Sequence, residues 1–435
     1  MKISVIGAGY VGLVTGVCLS SFGHSVTILD KNNSKIRSLT KGNSIIFEKD
    51  LPELLRKQLK KKKLLLTSSY DDVVQNDVFI ICVDTPFINK KPYKKNLIDS
   101  IESLLSVISD DSLIIIKSTA PIGTFREIES LVNKRKMKKN VSLCVHPEFL
   151  REGSAVSDFL NPERIVFGTR NPSDIDLFKE IYCKDSFQGK ILIMSPESAE
   201  LTKYAANGFL ATKISFINEI SRISERCGAD IEEIKLGLGT DSRIGDQFLN
   251  SGIGFGGSCF PKDLQSLSFK KSQLRLPDGI LEAALDGNEL QLQNFVDKIL
   301  EFKKENKISF ENFSLCIWGM SFKPNTNDLR DSQSIKLVQK LIKHCKKINI
   351  YDPVCKKSEI LKQFSNNSKL TIFNEKYKSM KNTVGLVIAT EWDEFKNLDF
   401  DLVKTKVIFD GRNCIDKIKC NKNNIQYVGI GRGWI

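Results

Sequence analysis

The sequence predicts an α/β protein, two doubly wound domains joined by a long central helix. Three observations predict it. Short apolar runs of strand length alternate with amphipathic stretches through the first third of the chain. A stretch opening at Ser195 keeps helical spacing for too long to be a crossover helix, and the strand–helix alternation then returns after about residue 310. The length of 435 residues agrees, being too great for one ordinary core.

Taken in order, Lys2–Ile6, Val26–Asp30, Val78–Val83, Leu113–Lys117 and Val141–Val145 are β-rich runs of buried-strand length. Between them, Val11–Phe22 and Leu97–Ile108 carry helical spacing, which predicts a parallel sheet covered on both faces. Ile165–Gly168 and Ile191–Met194 are further strands closing this domain. Ser195 suits a helix N-cap and Pro196 the first helical position. Leu201, Tyr204, Ala205, Ile214, Ile217, Ile220 and Ile223 then form an apolar stripe until Gly228 offers a C-cap. Such a helix bridges two lobes, and its stripe is also a candidate subunit contact. Ser314–Trp318, Ile348–Tyr351, Leu386–Ala389 and Val407–Phe409 follow as parallel strands. The division expected is residues 1–195, a helical middle over 196–300 and residues 301–435.

The composition is that of a globular chain, 41% hydrophobic and 27% charged. No apolar run approaches the ~18–20 residues of a membrane span. Met1–Phe22 imitates a signal peptide, but three spaced glycines interrupt it and Val26–Leu29 follows at once, so it reads as strand, turn and helix. Eleven cysteines without C-x-x-C pairs and without an export signal point to reduced thiols in the cytoplasm. Only His24, His146 and His344 occur, widely separated, so no metal site is expected. The net charge of +13 fits either nucleic acid or an anionic small molecule. The densest basic runs, Lys60–Lys63 and Lys134–Lys139, lack interleaved aromatics and read as solvated helix ends or loops, against nucleic acid.

The clearest local motif is G-A-G-Y-V-G, with Gly7, Gly9 and Gly12 directly after the first strand. Gly7 permits the turn, Gly9 the approach of a pyrophosphate, and Gly12 close helix–strand packing, the Rossmann-like arrangement for a dinucleotide. The helix N-terminus supplies N–H groups to the phosphates. Asp30 ends the second strand, where an acid binds ribose hydroxyls and repels a 2′-phosphate, favouring NAD over NADP.

Four other segments sit at expected strand ends or on the bridging helix: Ser118–Thr124 (S-T-A-P-I-G-T), Pro147–Gly153 (P-E-F-L-R-E-G), Ala199–Asn207 (A-E-L-T-K-Y-A-A-N) and Gly254–Asp263 (G-F-G-G-S-C-F-P-K-D). Lys203 and Asn207 share one helix face, and a lysine with an amide beside it can hold an oxyanion. Cys259 follows a Gly-rich turn, with Asp263 four residues on.

In these segments, and in Y-D-P (Tyr351–Pro353) and D-G-R (Asp410–Arg412), the chain resembles the UDP-glucose/GDP-mannose dehydrogenase family over nearly its whole length. G-G-S-C, where relatives acting on UDP-N-acetylmannosamine tend to carry G-G-H-C, and Asp241–Asn250 look most like the UDP-glucose branch. The resemblance implies a homodimer that oxidises a sugar alcohol of UDP-glucose to a carboxylate with two NAD+. The aldehyde would be captured by Cys259 as a thiohemiacetal and oxidised to a thioester. By the same resemblance, Lys203 stabilises the oxyanion, Asn207 positions it, and Asp263 with a water held by Thr119 and Glu148 handles protons. Implied substrate contacts are Glu148, Phe149, Leu150, Arg151, Glu152, Lys203, Asn207, Phe248, Leu249, Asn250, Ser251, Gly252, Gly256, Lys323 and Arg412, with Arg243 reaching across the dimer. Implied cofactor contacts are Gly7, Gly9, Tyr10, Val11, Gly12, Asp30, Lys35, Thr85, Thr119, Glu152, Lys262 and Arg330.

The chain departs from the family pattern at E-K-D-L (Glu48–Leu51, commonly E-P-G-L) and V-D-T-P (Val83–Pro86, commonly V-P-T-P). The following Lys-rich loop, Phe87–Asn96, also lacks the usual Gly-Ala-Asp piece. These loops fall near the nicotinamide half of the expected site. Two alternatives stand beside the UDP-glucose reading: dehydrogenation of another nucleotide sugar, or one-step oxidation by a 3-hydroxyacid dehydrogenase, which shares G-x-G-x-x-G and a K-x-x-x-N helix but needs no cysteine after G-G-S.

Overall fold

A computed structural model describes residues 1–108, 112–134, 141–183, 187 and 189–432. The basic run expected at Lys134–Lys139 lies, beyond Lys134, outside the described residues. The chain divides into two compact units, Met1–Ala206 with Gln265–Arg275, and Asn207–Leu264 with Leu276–Ile435.

The first unit is built on an eight-stranded sheet. Its strands are β1 (Lys2–Ile6), β2 (Ser25–Leu29), β3 (Leu64–Thr67), β4 (Val78–Ile81), β7 (Leu113–Ile116), β8 (Ser142–Val145), β9 (Ile165–Gly168) and β10 (Ile191–Met194), while β5 (Phe87–Ile88) and β6 (Lys91–Pro92) form a separate hairpin. The order β10-β9-β8-β7-β4-β1-β2-β3 reverses direction at β1, between β2 and β4. Such a reversal opens a crevice at the carboxyl ends of the strands. β1, β2, β4 and β7 are buried almost throughout because helices cover both faces.

The sheet is not wholly parallel as expected, since β9 pairs antiparallel with β8 and β10 runs parallel to β9. The connection from β8 to β9 explains this. It holds the P-E-F-L-R-E-G loop and one six-residue helix, Ala155–Leu160. Six residues rise only about 9 Å, too little for a helical return along the sheet. The chain therefore re-enters from the end where β8 left.

The Lys-rich loop after β4 is a tight hairpin. Asn89 and Lys90, at its tip, both have positive φ (51° and 58°), as a two-residue turn of type I′ requires.

The bridging helix runs Pro196–Cys227, 32 residues, between the expected caps. The Ser195 hydroxyl accepts the Ser198 N–H at 3.2 Å, and Gly228 beyond the other end takes a positive φ of 77°. In the second unit, β11 (Ser314–Trp318), β12 (Lys347–Tyr351), β13 (Leu370–Phe373), β14 (Gly385–Ile388), β15 (Val407–Asp410) and β16 (Gln426–Val428) form a six-stranded sheet. Its order is β13-β12-β11-β14-β15-β16 and every pairing is parallel. The helix Ile280–Glu305 packs Leu292, Phe295, Val296, Ile299 and Phe302 into the core of this sheet.

Candidate active site

At the β1 turn, Gly7 has φ 105°, and a Cβ on Gly12 would lie 1.9 Å from the Gly7 carbonyl oxygen, so only glycine lets the helix start this close. A Cβ on Gly9 would meet nothing nearer than Asp84 Oδ1 at 3.8 Å, which leaves room for a phosphate. The helix Tyr10–Ser21 has no side-chain cap and no acid in its first turn, so its leading N–H groups suit an anion. Asp30, just past β2, accepts the Ala8 N–H (2.9 Å) and the Asn32 N–H (2.9 Å), with Lys35 Nζ 3.6 Å away. Together these residues fit a dinucleotide. Val11 lies in the first turn of that helix.

Tyr10, expected against the cofactor, opens that helix and directs its hydroxyl to the buried carboxylate of Glu48. Glu48 also accepts the N–H groups of Gly153 (2.8 Å) and Ala155 (2.9 Å). Burial raises its pKa against the pull of these N–H groups. Glu48 thus anchors the end of the P-E-F-L-R-E-G loop, and the departure beside it is absorbed locally. Asp50 adopts φ 64° at the position where relatives commonly carry glycine, a left-handed conformation that aspartate tolerates better than most residues.

Thr85 donates to the Thr119 carbonyl at 2.6 Å, joining the ends of β4 and β7. Beyond β8, Glu148 is 5% exposed and Lys203 4%, and they form an ion pair at 3.0 Å. The Leu150 N–H donates to the other Glu148 oxygen at 2.7 Å. Burial works to raise the Glu148 pKa. The charge and hydrogen bond of Lys203, with help from Lys117 and the Leu150 N–H, overcome it and hold the carboxyl below its usual range. Phe149 lies 5.5 Å from Lys203 Nζ and 4.0 Å from the Arg164 guanidinium. Arg151 is bidentate to Asp158 (2.6 Å and 3.1 Å), and Glu152 is half-buried.

In the second unit, Cys259 sits at the start of the helix Phe260–Gln273, its carbonyl accepting the Asp263 N–H at 2.8 Å. Asp263 is 1% exposed, and its two carboxylate oxygens accept from Lys262 Nζ and Asn207 Nδ2, each at 2.6 Å. Lys262, expected on the cofactor, is therefore held by Asp263. Arg330, expected there too, is forked onto Asp328 (2.7 Å and 2.9 Å).

The Gly-rich turn before Cys259 cannot make regular backbone pairs, and buried amide side chains satisfy it instead. Asn288 accepts the Phe255 N–H (2.7 Å) and donates to the Phe255 carbonyl (3.0 Å), to which Gln333 also donates (2.6 Å). Gln291 donates to the Gly252 carbonyl (3.0 Å), and Asn218 accepts the Gly252 N–H (2.9 Å). A Cβ on Gly256 would lie 2.2 Å from the Asp331 carbonyl oxygen, which requires glycine there. Arg412 donates from Nε to the Ala389 carbonyl (2.9 Å) and from Nη1 to the Gly254 carbonyl (3.4 Å). Arg412 and this turn are thus brought together. Lys323 is half-buried in the loop after β11.

Of the remaining expected contacts, Leu249 packs in a core with Ile217 and Ile231, and Ser251 accepts from Asn413 (3.0 Å). Both are buried, with their side chains turned inward. Phe248 has φ 65°, Asn250 is exposed, and Arg243 is exposed and paired with Asp241 at 2.6 Å.

Sequence reasoning missed Glu48, the amide side chains and a second buried cation, Lys117. Its signal was a lysine placed directly after four apolar residues of a strand. Among the cysteines, burial drives Cys82, Cys316 and Cys345 up to about 12, whereas Cys259 is only partly buried.

Comparison with known proteins agrees with this geometry across the chain. Residues 1–185 match the NAD binding domain of the UDP-glucose/GDP-mannose dehydrogenase family, 197–290 its central domain and 316–417 its UDP binding domain. The chain is 38% identical to the UDP-glucose 6-dehydrogenase YwqF of Bacillus subtilis, covering 99% of this chain and 98% of that protein. It is also 38% identical to the UDP-glucose 6-dehydrogenase of Rickettsia conorii, covering 99% of both. The structure of a UDP-glucose dehydrogenase from Pyrobaculum islandicum superposes with a TM-score of 0.88 at 30% identity, over 100% of this chain and 98% of that one. With all three family domains matched in order and curated relatives aligned over nearly the full length, the chain belongs to the UDP-glucose/GDP-mannose dehydrogenase family, and NAD is its cofactor.

Proposed function

We propose that this protein oxidises UDP-glucose to UDP-glucuronate by a Cys259-linked route. The observation that carries the reading is Cys259 itself, partly exposed at a helix start, one turn from the buried Asp263, which is held by Asn207 and Lys262. A helix N-terminus favours a thiolate. NAD+, when bound, accepts a hydride in each of two oxidations. The sugar hydroxyl loses its proton through a water held by Thr119 and Glu148, and Lys203 and Asn207 hold the oxygen. The Cys259 sulfur adds to the aldehyde carbon, and this thiohemiacetal loses the second hydride to give a thioester. Water then cleaves the carbon–sulfur bond and returns the thiol, with Asp263 handling the proton. Overall, one alcohol, one water and two NAD+ become one carboxylate, two NADH and three protons.

In the division of labour we infer, residues 1–195 hold NAD, 196–300 carry the cysteine turn and the subunit contact, and 301–435 grip the UDP end through Lys323 and Arg412. The homodimer is supported by Phe209, Phe216 and Ile223, which lie seven residues apart on the long helix and are 67%, 49% and 55% exposed. Among the described residues no helix is long and apolar enough to cross a membrane, and the eleven cysteines without C-x-x-C pairs support a cytoplasmic enzyme. Incubation with NAD+ and a panel of nucleotide sugars tests the reading. UDP-glucose should give about two NADH per sugar. Cys259→Ala should bind both ligands but form almost no UDP-glucuronate, and near-normal product from that variant would overturn the route.

A further inference from the structure

Behind the Glu148–Lys203 pair lies a second buried cation that the proposed chemistry leaves without a task. Lys117 follows β7, is 3% exposed, and places Nζ 2.9 Å from His146 Nε2. His146 follows β8 and is 4% exposed. Its Nδ1 lies 2.8 Å from the Val166 carbonyl, which only accepts, so Nδ1 carries the proton and Nε2 offers its lone pair. The Lys117 ammonium and the Tyr182 hydroxyl, the latter at 2.5 Å, share that one lone pair. Phe178 and Tyr182 pack edge-on against the imidazole at 5.1 and 5.4 Å and fix its plane. Burial, with the Lys117 charge, holds the His146 pKa well below its usual value, so the ring is neutral.

Lys117 is therefore a buried ammonium fixed by a neutral acceptor. Among the described residues no carboxylate forms an ion pair with it. Such a charge is costly unless something nearby is stabilised by it. The chain supplies the candidate, because His146 is two residues from Glu148 just as Lys117 is two residues from Thr119. The charged and titratable groups around Lys117 are Cys82 from the β4 end, His146 and Glu148 from the β8 end, Tyr182 just after the helix Ser173–Ile181, and Lys203 from the long helix. Of these only Glu148 is an anion, since burial keeps the Cys82 thiol and the Tyr182 phenol protonated.

We propose that Lys117 is a positioning residue for Glu148, its ammonium being the fixed charge that keeps Glu148 a carboxylate when Lys203 turns to the substrate oxygen. The inference rests on the proton-handling reading of Glu148 given above. Burial pushes Lys117 down to about 8, with Glu148 among the groups opposing it, so the ammonium persists at neutral pH. When Lys203 engages the substrate, a bare buried carboxylate would take up a proton and fail as a base. Lys117 cannot follow Lys203, because its imidazole partner is locked by two aromatic rings.

The test is the pH profile of kcat for the unmodified enzyme and for Lys117→Met. The acid limb, which follows protonation of Glu148, should move up by about one pH unit or more, with the plateau within about threefold. A plateau lowered at every pH with the limb unmoved would mean that Lys117 is structural only, and would overturn the proposal. A measurement without turnover covers the case of a variant that fails to fold. In Glu148→Gln, the ε-carbon NMR titration of Lys117 should have its midpoint lowered by about one unit, because its supporting anion is gone. An unmoved midpoint overturns the proposal. If UDP-glucose proves not to be a substrate, the functional reading fails, while the NMR titration still decides whether the two side chains are coupled.

Discussion

Replacing Lys203 by Met tests the Glu148–Lys203 pair as a piece of physical chemistry apart from any catalysis. Both side chains are 6% exposed, and their 3.0 Å contact is the main attraction holding a desolvated carboxylate in its ionised form. Removing one partner from a buried pair commonly costs about 3–5 kcal/mol, because the other charge is stranded. The lower end, about 3 kcal/mol, is expected here, since the Leu150 N–H still donates to Glu148 and Lys117 still faces it. The sign of the pH dependence is a sharper criterion. In the unmodified protein the Glu148 pKa is depressed, so its contribution is present above the unfolded value and is lost as pH falls through the folded one. In Lys203→Met, desolvation lifts the folded value above the unfolded one, while Lys117 and the Leu150 N–H keep the carboxyl ionised at neutral pH. The deficit is then largest at neutral pH and shrinks as the carboxyl protonates on acidification. Urea unfolding at pH 7.5 and pH 5, followed by fluorescence, measures both. Lys203→Met/Glu148→Leu should recover most of the loss at pH 7.5. A deficit below about 1 kcal/mol, or one that does not shrink at pH 5, would refute the reasoning.

Glu200, 5% exposed, accepts the N–H groups of Gly123 (2.8 Å) and Phe125 (2.7 Å), and burial raises it to about 7. Because the folded form binds this proton more tightly, its contribution to stability grows as pH falls from 8 towards the unfolded value, by about 3 kcal/mol at most. Glu200→Gln should flatten that slope, and equal slopes in urea titrations across this range would count against it. Asp84 stands beside Gly9 where relatives commonly carry proline, so Asp84→Asn should lower the KM for NAD+ about twofold, with the gap closing at high salt. An unchanged KM at low salt would place the diphosphate elsewhere. The unmodified enzyme should prefer NAD+ to NADP+, and Asp30→Ala should narrow that preference. Equal use of both cofactors by the unmodified protein would transfer the 2′-end to Lys31 or Lys35.

What the sequence revealed follows what burial makes visible. β4, β7, β11 and β14 are buried nearly throughout and read as apolar runs, and β1 is interrupted only by the buried Ser4. Besides the short β5–β6 hairpin, the strands it did not reveal, β3, β13 and β16, all lie at sheet edges. β13 alternates buried and half-buried residues, and β3 follows directly on Lys60–Lys63 with Leu65 61% exposed, so neither stands out from a loop. Ser195 and Gly228 marked the long helix because caps are local chemistry. At the candidate site, motifs singled out residues but not how they are held. Nothing in the spacing of Glu48 or Asn288 indicates that one anchors Gly153 and the other clamps Phe255. Those bonds depend on long-range packing.

The two sheets use one joint twice and finish it differently. After β1, the Gly7 N–H donates to the Leu29 carbonyl (2.7 Å) and the Ala8 N–H to Asp30 (2.9 Å). After β11, the Gly319 N–H donates to the Tyr351 carbonyl (2.9 Å) and the Met320 N–H to Asp352 (2.7 Å), again with positive φ at the glycine, 88°. Asp30 receives two backbone N–H groups and has lone pairs left for a ribose. Asp352 receives four, from Met320, Ser321, Val354 and Cys355, and is 9% exposed, so its capacity is spent on the fold. The glycines that open the first turn to a diphosphate have no counterpart either, since G-M-S-F-K-P follows β11 in place of G-A-G-Y-V-G. The second turn thus keeps the half of the joint that bends the chain and loses the half that receives a dinucleotide. In its place it carries Lys323, a single cation suited to one end of an anionic ligand.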